Sequence, residues 1–251
     1  MLNVEVSTMN EASILKKLRA ALEREPCINL HQWPVSLSMT DEHALVMEGE
    51  VESVAAKKLA LKLARTMPDV NSVVSRLHVA PTEHKGDGEI QEMLASMLLN
   101  AGELKNCTLR LTKKGQIVNL QEGGAEDASG DIQVSVKDAV VTLNGWAISL
   151  SHKRLAGVLA WWVPGCRDVV DGLEVRPPEQ DNDDELSDAL SLVLEMDPLI
   201  PHPDQIRVQT RDHVITLEGL VGSQLEKSRA EQDAWCLFDV DRVVNHLAVT
   251  P

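Results

Sequence analysis

The chain has 251 residues, 43% of them apolar, which is enough for two or three small domains with their own cores. No apolar run reaches bilayer-spanning length, and a formal net charge of −15 repels phosphate, which excludes nucleic acid as an expected partner. Residues 179–251 hold 5 Lys or Arg against 16 Asp or Glu, whereas the first 81 residues are close to neutral and contain the basic cluster Lys16-Lys17-x-Arg19.

The opening Met-Leu-Asn-Val-Glu-Val-Ser lacks a basic segment followed by an apolar core. It does not read as a secretory signal, so the expected compartment is the cytoplasm, with a processed periplasmic form as the alternative. Ile14, Leu18, Ala21 and Leu22 then recur at helical spacing. Two short strands follow, at 35–39 and at Ala44-Leu45-Val46-Met47, the second running to Gly49. Ser53 sits where a helix N-cap belongs, and Ala60 and Ala64 share one face of the helix that it opens. A final strand runs to Pro81, and a polar linker lies near 82–88.

The same order then recurs twice. Ile90, Met93, Leu94, Met97 and Leu98 mark a helix face, as do Leu186, Ala189, Leu190, Val193 and Leu194 beyond a second linker near 177–183. The second copy is longer, with 42 residues from Ile90 to Ile132 against 20 from Leu186 to Ile206. The extra stretch, near 104–130, holds Cys107-Thr-Leu-Arg-Leu and Gln116-Ile-Val-Asn-Leu120 around Lys113-Lys114-Gly115. It reads as an inserted β-hairpin followed by a mobile loop at 121–130.

Windows 49–81, 145–177 and 219–251 align without a gap, and ten of their 33 columns are identical in all three. The columns include Gly49/Gly145/Gly219, Ser53/Ser149/Ser223, Lys57/Lys153/Lys227, Ala60/Ala156/Ala230 and Pro81/Pro177/Pro251. Glycine late in a strand permits a bulge or a close backbone approach. Serine caps the helix, and Ser223-x-x-Glu226 also fits a capping box. The fold class is therefore α+β: three tandem αββαβ modules at 10–81, 87–177 and 183–251, each a three-stranded mixed sheet with two helices on one face.

Val141-Thr-Leu-Asn-Gly145, Val163-Pro-Gly165, Val169-Val-Asp-Gly-Leu173-Glu-Val175 and Val214-Ile-Thr-Leu-Glu-Gly219 together resemble the BON domain over about 200 residues, with the insertion outside the match. The resemblance implies tandem modules with phospholipid binding, a role in osmotic protection and envelope integrity, and no catalytic residues. The expectation is a non-enzymatic protein without a cofactor that binds a phospholipid membrane surface or a protein partner. Because the family also includes cytoplasmic members tied to potassium sensing, the alternative is a cation-responsive sensor using the acidic third copy.

Trp161 and Trp235 share a column about 140° around the helix from Ala60/Ala156/Ala230, and Trp162 adjoins it. They suit packing between copies or against the hairpin, or else an interfacial anchor for lipid or a partner. Lys57, Lys153 and Lys227 stand in first helical turns, either lying over the sheet edge or offering a phosphate contact. The run Asp181-Asn-Asp-Asp-Glu185 lacks the Gly and distal Glu of a calcium loop and fits a helix start. The four cysteines share no column or C-x-x-C spacing, and the eight histidines show no ligand spacing, so no metal site is expected. No G-x-S-x-G, H-E-x-x-H, phosphate-binding loop or dinucleotide motif is present.

Overall fold

The computed structural model describes residues 2–40, 42–124 and 127–250, with side chains from residue 11 onward. Pro251, the last repeated column, and residues 125–126 of the inserted loop lie outside the described residues, as do the side chains of the opening segment. The chain forms two compact units, residues 1–80 and 81–251.

The first unit runs α1 (Leu2–Arg24), β1 (Val35–Met39), β2 (Ala44–Val51), α2 (Val54–Arg65) and β3 (Ser72–Val79). The central β2 is antiparallel to β1 and parallel to β3. Leu18 and Leu22 from α1 and Ala56, Ala60 and Ala64 from α2 close over Leu45, Met47 and Leu77. The alanines let α2 lie close to the sheet, and both helices cover the same face.

The second unit holds two more copies. The first runs α3 (Asp87–Asn100), β4 (Cys107–Lys113), β5 (Gln116–Gln121), β6 (Gly130–Lys137), β7 (Val140–Ala147), α4 (Leu150–Trp162) and β8 (Asp168–Val175). The other runs α5 (Asp183–Met196), β9 (Ile206–Arg211), β10 (Val214–Val221), α6 (Gln224–Cys236) and β11 (Arg242–Val249). Its sheet repeats the three-stranded plan in the order β11-β10-β9.

The middle sheet departs from that plan, with five strands ordered β5-β4-β6-β7-β8. The inserted hairpin extends the module's own sheet, because β4 pairs in parallel with β6 and satisfies its free edge. The segment after the hairpin is pinned where it is described. Gly123 N donates to Thr108 Oγ1 (3.1 Å), Gly124 N to Asn106 Oδ1 (2.8 Å), and Asn106 Nδ2 to the Asp127 carbonyl (2.5 Å).

The two copies of the second unit also share packing. α4 lies against α3, α5 and α6, and every residue from Arg154 to Ala160 is buried. A helix covered on all sides needs apolar residues on all sides, which Leu155-Ala-Gly-Val-Leu-Ala160 provides. Gly157 makes room for the Phe238 ring, which a Cβ would strike.

One device ties helix to hairpin in both copies. The turn residues Asp138, Ala139, Asp212 and His213 all have positive φ. Their N–H groups point at the first carboxylate of the preceding helix: Asp87 accepts from Asp138 (3.1 Å) and Ala139 (2.8 Å), and Asp183 from Asp212 (2.8 Å) and His213 (3.0 Å). These N–H bonds hold the Asp183 carboxyl below the usual carboxylate range.

Candidate functional site

Ser53, Ser149 and Ser223 sit at the N-caps of α2, α4 and α6, accepting from Ala56 N (3.2 Å), His152 N (3.2 Å) and Glu226 N (3.1 Å). Glu226 reaches back to Gly222 N (2.7 Å). Gly49, Gly145 and Gly219 have φ of 142°, 116° and 129°. A Cβ at Gly145 would collide with the Asp131 carbonyl oxygen, and one at Gly219 with that of Gln205.

Lys153 Nζ donates to the Leu173 carbonyl (2.7 Å) and Lys227 Nζ to the Leu247 carbonyl (2.6 Å), tethering the first turn of α4 to β8 and of α6 to β11. Their ammonium groups thus bond to the protein's own backbone. Lys57 stands at the same turn of α2. Lys227→Met should lower stability by about 1 kcal/mol, read by urea unfolding. An unchanged midpoint would show that the tether contributes nothing.

The tryptophans do not form one surface. Trp235 is only 4% exposed on α6, so its indole has no broad face to present to a bilayer. Trp162 Nε1 donates to Asp233 Oδ1 (2.8 Å), and the Arg229 guanidinium lies 5.1 Å from the centre of the Trp162 ring. Trp161 is half-buried beside it. This places Trp162 in the packing between the two copies of the second unit.

Around Trp162 lies a buried charged group that was not read from the sequence. Arg229 pairs with Asp197 and reaches Asp233 at 3.4 Å. Asp197 and Asp233 are buried, so two carboxylates share one guanidinium out of water. Burial, then the neighbouring Asp197, pushes Asp233 up to about 8, against the pull of Arg229 and the Trp162 N–H. Arg154, 1% exposed, pairs with Asp181 at 2.5 Å and holds the linker against α4. With Asp181 and Asp183 so engaged and Asn182 capping α5 through Glu185 N (3.0 Å), the acidic run serves the start of a helix. Among the described residues, no group of three or more His, Cys, Asp or Glu side chains is placed to hold a metal ion.

The feature best suited to a ligand is the open face of the third copy's sheet. Alternation along β9 sends Ile206, Val208 and Thr210 toward the helices and Arg207, Gln209 and Arg211 outward. Val214 registers with Arg211 on one side and Arg242 on the other, so the two arginines stand two strand spacings apart, about 10 Å. Two rows on, Glu218 registers with Arg207 and His246. The third copy carries five Lys or Arg. Lys227 and Arg229 are engaged with the backbone and with the buried carboxylates. The other three lie exposed on this face, with Glu218 its one acidic residue and Leu220, 49% exposed, at its lower end. Asp212 and Asp241 flank the upper row from the turns. The Ile-Arg-Val-Gln-Thr-Arg alternation signals the β9 half of this face.

A family model described as the BON domain matches residues 10–81, 120–177 and 182–251. Residues 82–119, with β4 and most of β5, fall outside the matches. Osmotically-inducible protein Y of Escherichia coli (strain K12) is 32% identical over 125 residues, covering 47% of this chain and 62% of that protein. The chain thus matches less than two thirds of that relative's length. Among solved structures, the C-terminal domain of CdsD, the structural protein of the type III secretion system of Chlamydia trachomatis, superposes with a TM-score of 0.23 at 13% identity, covering 88% of this chain and 93% of that one. The PrgH periplasmic domain gives 0.22 at 10% identity, covering 86% and 95%.

Proposed function

Because the chain belongs to the BON domain family, we propose that it is a non-catalytic binding protein that lays the third copy's open sheet face on an anionic phospholipid surface during osmotic stress. The observation that carries this reading is the segregation of charge in that copy. A segment with 16 acidic and five basic residues turns its three exposed arginines onto one face. Leu220 on the same face adds an apolar contact of the kind that seats a protein at a headgroup boundary. The osmotic setting is taken from the Escherichia coli relative.

Each basic residue near an anionic leaflet contributes about 1 kcal/mol, screened by salt. Most acidic residues of this copy lie off the arginine face, so the copy's attraction to an anionic surface is centred on that face. No helix among the described residues is long and apolar enough to cross a membrane, so the reading is one of attachment to a surface. Co-sedimentation at low salt should show binding to vesicles containing phosphatidylglycerol and little to pure phosphatidylcholine. Arg207→Gln/Arg211→Gln/Arg242→Gln should weaken it by about tenfold or more. Equal binding to both vesicle types, or to neither, would remove the reading.

A further inference from the structure

We propose that β5 is a self-association edge, pairing antiparallel with β5 of a second copy of this chain to continue the five-stranded sheet across a two-fold axis. β5 is the terminal strand of its sheet, bonded to β4 on one side only. Exposed edges are usually guarded by charge or proline. The opposite edge of the same sheet, β8, carries Asp168, Asp171 and Glu174, whereas Gln116-Ile-Val-Asn-Leu-Gln121 carries no charge and no proline. Apolar side chains stand exposed on both of its faces. Ile117, 59% exposed, lies opposite Thr112 on the open face, and Val118, 41% exposed, lies opposite Leu111 on the helix face.

The edge is also held ready. Gln121 Nε2 donates to the carbonyls of Leu104 (3.0 Å), Lys105 (3.1 Å) and Cys107 (2.7 Å), and the next glycines are tied to Thr108 and Asn106. A strand fixed in extended form loses little entropy when another strand adds to it.

Charge selects a second copy as the occupant. Lys114 precedes β5 and Glu122 follows it, both exposed. Antiparallel pairing centred on Val118 sets Val118 against Val118 of the second copy. It also brings Lys114 opposite Glu122 of the second copy at both ends. An isologous contact satisfies both pairs with one surface. Four of the strand's six residues lie outside the segments that match the family model, and the β4 strand it pairs with lies wholly outside them.

Sedimentation velocity of the full chain, from micromolar to about 1 mM, should show a concentration-dependent dimer. Val118→Lys places like charges on the axis and should raise its dissociation constant about tenfold or more. Its circular dichroism and melting should stay as in the parent, since the side chain is exposed. Lys114→Glu and Glu122→Lys should each weaken the dimer by about threefold, and the two combined should restore it. A monomer throughout the range, a dimer indifferent to Val118→Lys, or a double exchange no better than either single change would overturn the proposal. The charge variants keep the test open should Val118→Lys fail to fold.

Discussion

Gly145→Ala is expected to cost about 3 kcal/mol or more of stability in the second unit. Two causes act together. The φ of 116° lies where L side chains rarely go, and the new Cβ would meet the Asp131 carbonyl oxygen on the neighbouring β6. That oxygen belongs to backbone in the middle of a five-stranded sheet, so it cannot swing aside as a side-chain tip would. Gly88→Ala supplies the contrast. Gly88 lies in α3, needs no positive φ, and a Cβ there meets nothing within 4 Å. This change should stabilise by about 0.5–1 kcal/mol. Urea unfolding of the two variants beside the parent decides the matter. A Gly145→Ala loss under about 1 kcal/mol would mean that the strand relaxes around the methyl group and that the repeated glycine is not steric in origin.

The second large effect is on the pH dependence of stability, through Asp233. Its folded pKa, about 8, lies above the ordinary carboxylate value of 3.8, so the folded protein holds a proton that the unfolded chain releases. The contribution is therefore fully present below about 4, declines as pH rises toward about 8, and is flat beyond. The groups facing Asp233 are Arg229 from α6, Asp197 at the end of α5 and Trp162 from α4. Asn at 233 keeps an acceptor for the indole N–H and needs no proton. Asp233→Asn should match the parent within about 1 kcal/mol at acidic pH and exceed it by about 2 kcal/mol or more near pH 9. Unfolding followed by tryptophan emission at several pH values reads this directly. Parallel pH profiles for the two proteins would show that Asp233 is ionised in the fold throughout.

The threefold plan was legible because each repeated column has a local cause. A capping hydroxyl, a glycine of positive φ and a pair of small helix residues act within a few residues of themselves. The enclosure of α4 was not read from the sequence, although Leu155–Ala160 is apolar all round. The buried charged group was not legible. Its Trp162–Asp233 bond spans 71 positions and its Arg229–Asp197 pair 32. In a linear reading, Asp197 and Asp233 are two among many carboxylates of an acidic segment. The hairpin itself was visible as two alternating runs, but its docking beside β6 depended on a sheet edge that only the folded module presents. Lys153 and Lys227 stand out in the sequence as a repeated position, but the carbonyls that receive them lie 20 residues on and do not.

The grip of α4 on α5 and α6 limits how this chain can be cut. A row of like modules is ordinarily severable at any join, each piece keeping its own interior. Here a cleavage in the 177–183 join would strip cover from the enclosed α4 and leave Arg229, Asp197 and Asp233 facing water, with the Trp162 indole no longer above them. The smallest self-sufficient fragment that includes the C-terminal arginine face therefore starts near residue 81 and carries two modules together.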